Sequence, residues 1–155
     1  MIRKAQEKDI PKILKLLQQI LKVHVQIRPD IFIDNTAKYT AKDIKNILQD
    51  ENQPIYVYVD ETDEVLGYAI CILKDTYQSN NLVKMKIMYI DDLCIDENAR
   101  GQRIGSQIFD FLKEEAKRLG CAEITLTVWE GNDSAKKFYE KIGMRVKETT
   151  MEYIL

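Results

Sequence analysis

Near its start the chain repeats apolar residues at three- and four-residue steps. Ile10, Ile13, Leu14, Leu17, Ile20, Leu21 and His24 make one stripe, set against Lys12, Lys15, Gln18, Gln19 and Lys22. That period predicts an amphipathic helix laid on a core. Glu7-Lys8-Asp9-Ile10-Pro11 opens it, with acidic residues and proline where the unpartnered backbone N–H groups favour both. Arg28-Pro29 closes it, because proline pushes the residue before it out of the helical region. Residues 2–5 read as a short opening strand. Residues 28–38 form an irregular connection carrying Ile31, Phe32 and Ile33, and Thr40-Ala41-Lys42-Asp43 resembles a weakened capping box opening a second helix to residue 50. Such a segment either lines a pocket or packs as a helical hairpin on a sheet, and the pattern fits both.

The period then changes. Residues 54–59 and 65–73 are rich in β-branched and aromatic side chains and flank the polar turn 61–64, which predicts an antiparallel hairpin. Residues 74–81 are polar and read as a mobile loop, and 84–95 alternate as a long third strand. Ile104, Ile108, Phe111, Leu112, Ala116 and Leu119 mark another helical face, with Gly120 placed for a left-handed cap. Residues 123–129 alternate again. A strand at 89–95, a helix and a strand at 123–129 make a βαβ unit, so those two strands should run parallel. Asn132-Asp133-Ser134 can cap a short helix with Ala135, Phe138, Tyr139 and Ile142 on its apolar face, stopped by Gly143. Residues 145–155 contain Val146, Met151, Tyr153 and Ile154 and should close the sheet as one or two strands. The expected fold is α+β in one domain spanning 1–155. Its sheet is mixed and mostly antiparallel, with six to seven strands, about four helices and one parallel pair.

Composition narrows the classes. A net charge of −2 over 155 residues leaves no basic footprint for nucleic acid. No apolar run approaches the roughly 20 residues that span a bilayer, and the first residues lack the apolar stretch of a signal peptide, so no membrane partner is expected. Cys71, Cys94 and Cys121 are odd in number and widely spaced, and there is one histidine. Neither a disulfide framework nor a metal site follows, and a reducing, cytoplasmic setting fits best.

Candidate chemistry concentrates in Arg100-Gly101-Gln102-Arg103-Ile104-Gly105-Ser106, between the strand ending at Ile95 and the helix after it. The first turn of a helix carries unpartnered N–H groups and partial positive charge, so anions settle there. Glycine lets backbone come close to a phosphate, and Arg100 and Arg103 add cationic donors. The nucleotide signatures G-x-G-x-x-G and G-x-x-x-x-G-K-[ST] are absent.

This loop resembles the pyrophosphate loop of the GCN5-related N-acetyltransferase (GNAT) family, [QR]-x-x-G-x-[GA]. Asn132-Asp133-Ser134-Ala135-Lys136-Lys137-Phe138-Tyr139-Glu140-Lys141-Ile142-Gly143-Met144 resembles the family's second signature, N-x-x-A-x-x-F-Y-x-x-x-G-F. Both occur in the family's order, separated by one βαβ unit, and the resemblance runs from about residue 2 onward. There are two departures: Arg103 stands where the loop usually has glycine, and Met144 where the second signature usually has phenylalanine.

The resemblance implies acetyl-CoA as co-substrate and a splay between the two parallel strands where the backbone of Leu93, Cys94 and Ile95 binds pantetheine and the thioester oxygen. It implies further cofactor contacts from Arg100, Gly101, Gln102, Arg103, Ile104, Gly105 and Ser106, and from Asn132, Ala135 and Tyr139. Tyr139 matches the family's tyrosine near the CoA sulfur, where its phenol could protonate the leaving thiolate. Asp91 matches a glutamate that some members use as a base through water. Asp91 and Asp92 are adjacent on a strand, so only one should reach the substrate unless a bulge intervenes. Cys94 has no evident histidine partner, which favours direct transfer. His24 on its apolar stripe reads as packing, and Trp129 either walls the site or sits exposed beside it.

The expected function is acetyl transfer from acetyl-CoA to a primary amine of a small molecule or peptide, with specificity set by residues 28–50 and 74–84. The mildly acidic balance favours a cationic acceptor. A protein N-terminus or lysine as acceptor is the alternative within the class, a non-catalytic acyl-CoA sensor the alternative outside it, and a homodimer is compatible with either.

Overall fold

The computed structural model describes residues 1–76 and 80–155. Its five strands, β1 (Ile2–Lys4), β2 (Ile55–Val59), β3 (Val65–Asp75), β4 (Lys86–Ile95) and β5 (Glu123–Leu126), form one sheet in chain order. Neighbours are antiparallel except β4 and β5, which run parallel, as the βαβ unit requires. Among the described residues four helices flank the sheet: α1 (Ile10–Ile27), α2 (Ala41–Ile47), α3 (Ile104–Arg118) and α4 (Asp133–Lys141). None is long and apolar enough to cross a membrane.

Alternation along the strands supplies two cores. On one face Val57, Val59, Tyr68, Ile70 and Cys94 meet Ile13, Leu16 and Leu17 of α1 and Ile44 and Ile47 of α2. On the other, Tyr56, Ala69, Cys71, Met88 and Ile90 meet Ile104, Ile108, Leu112 and Ala116 of α3. Ile13, Leu16, Ile108 and Leu112 are fully enclosed, each worth about 1.5–3 kcal/mol of apolar transfer. The caps follow the sequence. Thr40 Oγ1 accepts from Asp43 N (3.1 Å) while Thr40 N donates to Asp43 Oδ2 (2.8 Å), and Gly120 is left-handed at φ 76°.

Three expectations need correction. The sheet has five strands, not six to seven, because 145–155 belong to no strand among the described residues. Their alternation supplies a strand-like pattern, but a strand exists only against a neighbour that completes its hydrogen bonds. The last strand stops at Leu126, not 129, as the chain turns off so that Tyr89 Oη donates to Thr127 Oγ1 (3.3 Å) and Trp129 O accepts from Asn132 N (3.0 Å). The second helix ends at Ile47, short of residue 50. Of the polar segment expected at 74–81, residues 77–79 lie outside the described residues.

Candidate active site

A bulge organises the site. β3 and β4 pair Cys71 with Ile90 and Ile70 with Asp92, so Asp91 is the extra residue. Ile90 therefore packs with α3 while Cys94, four residues on, packs with α1. Strict alternation would have put them on one face. The consequence is that both carboxylates serve the α1–α2 side. Tyr39 Oη donates to Asp91 Oδ2 (2.6 Å), and Tyr68 Oη to Asp92 Oδ1 (3.3 Å). Lys38 Nζ lies 3.1 Å from Asp91 Oδ2 and 3.8 Å from Asp92 Oδ2.

The two acids differ in setting. The Asp92 side chain is 9% exposed, and burial pushes its carboxyl up to about 6, with Lys38 opposing the rise and Asp91 adding to it. Burial and the neighbouring Asp91 charge also raise the Tyr39 phenol, and burial and Asp92 raise that of Tyr68, so both remain donors.

Beside this pair the parallel ladder opens. β4 and β5 pair only from Ile87–Glu123 to Ile90–Leu126. Beyond it, Asp96 N donates back to Leu66 O (2.9 Å). Alternate residues of a strand direct their amides to opposite sides, so those of Leu93 and Ile95 point away from β3, into the gap past Leu126. The pair suits a ligand that carries its own amides and lies in the gap like a strand, and splayed amides of this kind can also donate to an oxyanion. Cys94 faces the core, its Sγ donating to Leu16 O (3.5 Å), and burial pushes its thiol up to about 12. It is not a nucleophile at neutral pH.

The loop 100–106 leads from this gap into α3. Gly101 is left-handed at φ 83°, and Arg103, the N-cap of α3, has φ 58° and ψ 21°. A left-handed backbone is what glycine supplies without cost, which accounts for the glycine usual at Arg103's place. No side chain caps this end of α3, so its first-turn amides suit an anion such as a pyrophosphate. Arg100, Gly101, Gln102 and Arg103 are exposed, Ser106 is half-buried, and Ile104 turns its side chain into the core. Gly105 is tight for another reason: a Cβ there would stand 3.1 Å from Phe138 Cζ.

That contact ties the loop to α4. Asn132 caps α4, its side chain accepting from Ala135 N (3.4 Å). Tyr139 is half-buried next to Phe138, with ring centroids 5.2 Å apart. Burial, then the charge of Asp92, push its phenol up to about 12, so it holds its proton at neutral pH. Trp129 is half-buried, edge-on to Phe32 at 5.1 Å, and Phe32 stacks on His24 at 4.8 Å. Trp129 thus joins a wall and is not left free, and His24 packs, its imidazole kept neutral by burial and then by Lys38.

Tyr139 lies near enough to Asp92 for the carboxylate to raise its phenol, and Asp91 lies against Tyr39 and Lys38. Sequence reasoning weighed Asp92 against Asp91 and chose Asp91, and it passed over Lys38, Tyr39 and Tyr68. The adjacent Asp91-Asp92 pair was the one legible signal. What carries them inward is the bulge and the fold of residues 28–40 over the sheet, which sets Lys38 and Tyr39 against the acidic pair while α2 packs beside α1 on the sheet.

Similarity to known proteins runs over most of the chain. The profile described as Acetyltransferase (GNAT) family matches residues 17–144. A crystal structure of a mutant BH1408 protein from Bacillus halodurans superposes with a TM-score of 0.95 at 34% identity, covering 100% of this chain and 99% of that one. A thialysine N-epsilon-acetyltransferase of Bos taurus is 28% identical over 92% of this chain and 82% of its own length. A glucosamine 6-phosphate N-acetyltransferase of Arabidopsis thaliana is 35% identical over 43% of this chain, a match that spans 42% of that protein.

Proposed function

Because this chain belongs to the acetyltransferase (GNAT) family, we propose that it transfers an acetyl group from acetyl-CoA directly to the primary amine of a small cationic molecule. The observation that carries the proposal is the open end of the β4–β5 pair. Past it the Leu93 and Ile95 amides turn away from β3, Asp92 is near enough to Tyr139 to raise its phenol, and the end of α3 that follows is uncapped and suits a pyrophosphate.

The residues divide the work. The amides of Leu93 and Ile95 hold the pantetheine arm and the thioester oxygen, and the first turn of α3 with Arg100 and Arg103 holds the pyrophosphate. Cys94 and Ile104 contribute backbone. Gly101, Gln102, Gly105 and Ser106 shape the turn, and Asn132 and Ala135 set the start of α4 that brings Tyr139 to the sulfur. The acceptor amine must first lose a proton, since an alkyl amine titrates near 10.4. Asp92 is the better base of the pair, because a carboxyl near 6 is closer to the working pH. Asp91, already accepting from Tyr39 and Lys38, positions the ammonium. As the new C–N bond forms and the C–S bond breaks, Tyr139 gives its proton to the departing thiolate. Cys94 takes no acyl group.

Lys38 supports a cationic acceptor. Its ammonium stands between the two carboxylates, where a substrate amine would displace it. The names of the bovine and Arabidopsis relatives, for thialysine and glucosamine 6-phosphate, point toward small amines as a class. The test is release of free CoA thiol in a panel of small di- and polyamines, amino sugars and lysine analogues run beside peptides. Turnover of one or more small amines with peptides inert is expected. Turnover of peptides alone would move the assignment to a protein acetyltransferase, and acetyl-CoA binding without turnover of any acceptor would make the chain a sensor.

A further inference from the structure

Lys38 is a primary amine lodged against the two carboxylates proposed to receive the acceptor's amine. Its Nζ lies 3.1 Å from Asp91 Oδ2 and 3.8 Å from Asp92 Oδ2, donates to Asp91 O (3.3 Å), and stands 5.5 Å from the centre of the Tyr39 ring. Oxygen acceptors and a ring face are what an ammonium with its N–H donors seeks. Lys38 is the one lysine of residues 28–40. It lies outside every helix and strand, on a flexible stem with 45% of the side chain exposed, so its amine can leave the pair and return.

This setting differs from that of a structural ion pair. Lys12 also stands between two carboxylates, those of Asp96 (2.7 Å) and Glu64 (3.1 Å). There the hydrogen bond between Lys12 and Asp96 lowers the carboxyl and raises the ammonium, so the proton stays on nitrogen. At Asp92 burial outweighs Lys38, and the carboxyl is pushed up to about 6. Such a carboxylate can take a proton from an amine near neutrality.

We infer that Lys38 is a site of self-acetylation: without an acceptor, the chain transfers the acetyl group of acetyl-CoA to its own Lys38, whose Nζ already occupies the Asp91–Asp92 pair. The inference rests on the acceptor site proposed above. Asp92 takes one proton from the ammonium, and the neutral Nζ attacks the thioester carbonyl carbon. As the C–N bond forms the C–S bond breaks, the sulfur takes the Tyr139 proton, and the tyrosinate recovers a proton from the acylated nitrogen. The products are Nε-acetyl-lysine, CoA thiol and one proton, which passes from Asp92 to water. Acetylation removes the charge of Lys38 and with it both ion pairs. Each chain therefore reacts once, and its carboxylates are then open to a diffusing amine. Because the amine is tethered beside the site, its effective concentration exceeds that of lysines on other chains, so the transfer stays within one molecule.

The test incubates the full chain with acetyl-CoA and no acceptor, and follows intact mass and peptide mapping over time. Acetyl should appear on Lys38 about tenfold or more faster than on the exposed Lys22 and Lys42, at a rate per chain unchanged by dilution. Lys38→Arg keeps the cation, so it should keep the parent's thermal stability while losing that acetyl group. Tyr139→Phe should slow the modification by about tenfold, as it slows turnover. Acetylation of Lys38 no faster than that of Lys22 and Lys42 would overturn the inference. So would a rate per chain that rises with chain concentration, or indifference to Tyr139→Phe. The small-amine panel, run on the same parent chain, keeps this outcome apart from the reading beneath it. Turnover of small amines with Lys38 untouched would overturn self-acetylation alone, whereas acetylation of Lys38 with every small amine inert would support it and remove the small-molecule acceptor.

Discussion

Replacing Asp92 by asparagine separates what this residue costs the fold from what it does for chemistry. Its carboxyl titrates near 6 in the folded chain against an ordinary 3.8. Between these values the folded chain holds a proton that the unfolded chain has released, so stability falls as pH rises through the window from about 4 to 6. At 1.36 kcal/mol per pH unit the full difference is about 3 kcal/mol. Asparagine keeps an oxygen for the Tyr68 hydroxyl and removes the buried charge. Asp92→Asn should therefore be more stable than the parent by about 2–3 kcal/mol at pH 8, with the two converging below pH 4. Urea unfolding of both chains at half-unit pH steps measures the difference. In parallel, kcat/KM of the parent should rise through pH 6 as Asp92 ionises, and the variant should lose about a hundredfold in turnover without that rise. A stability difference that is flat with pH, or a variant less stable at pH 8, would refute the burial argument. Unchanged turnover would return the base role to Asp91.

Tyr139→Phe should lower kcat by about tenfold or more while leaving acetyl-CoA affinity by calorimetry unchanged; equal losses in both would make Tyr139 a packing residue. Arg103→Gly relieves a left-handed backbone at φ 58° but frees the unfolded chain, so stability should change by under about 1 kcal/mol while CoA binding weakens several-fold; a larger loss of stability in thermal denaturation would assign the arginine side chain a structural contact. Gly105→Ala should cost about 1 kcal/mol, because its Cβ meets Phe138 at 3.1 Å and the crowding outweighs the helix-propensity gain. Gly105→Glu should cost stability well beyond the alanine variant, because the larger side chain is driven into Phe138, and equal stability of the two in thermal denaturation would show that Phe138 yields freely.

The elements that carry their own period were legible. The α1 stripe and the α3 face each bury one side and the β2–β3 hairpin buries both, so local pattern and tertiary burial agree. The parallel pair followed from connectivity, since α3 cannot lead from β4 to an adjacent antiparallel strand by a short turn. The site was legible only where it is backbone-based. The loop 100–106 reads from its glycines and arginines, whereas the acidic pair depends on a register slip at Asp91, and no residue nearby marks it. A bulge is a property of two strands together. Glycine at a bulge would have announced it; aspartate does not.

The same distinction explains the segment at 145–155. Its alternation is real, and the expectation of a further strand followed from that alternation, but alternation states only that a chain can pair, not what it pairs with. Arg103 makes the converse point. Its position is one where backbone conformation favours glycine, yet arginine is tolerated because the cost of one left-handed residue, about 1–2 kcal/mol, is small against a fully enclosed α3 stripe of Ile104, Ile108 and Leu112. Asp92 is the costlier exception, in the middle of the sheet, and at about 3 kcal/mol it is the residue whose retention most needs a function to account for it. A buried, raised carboxyl next to two splayed amides is where the chemistry should be sought first.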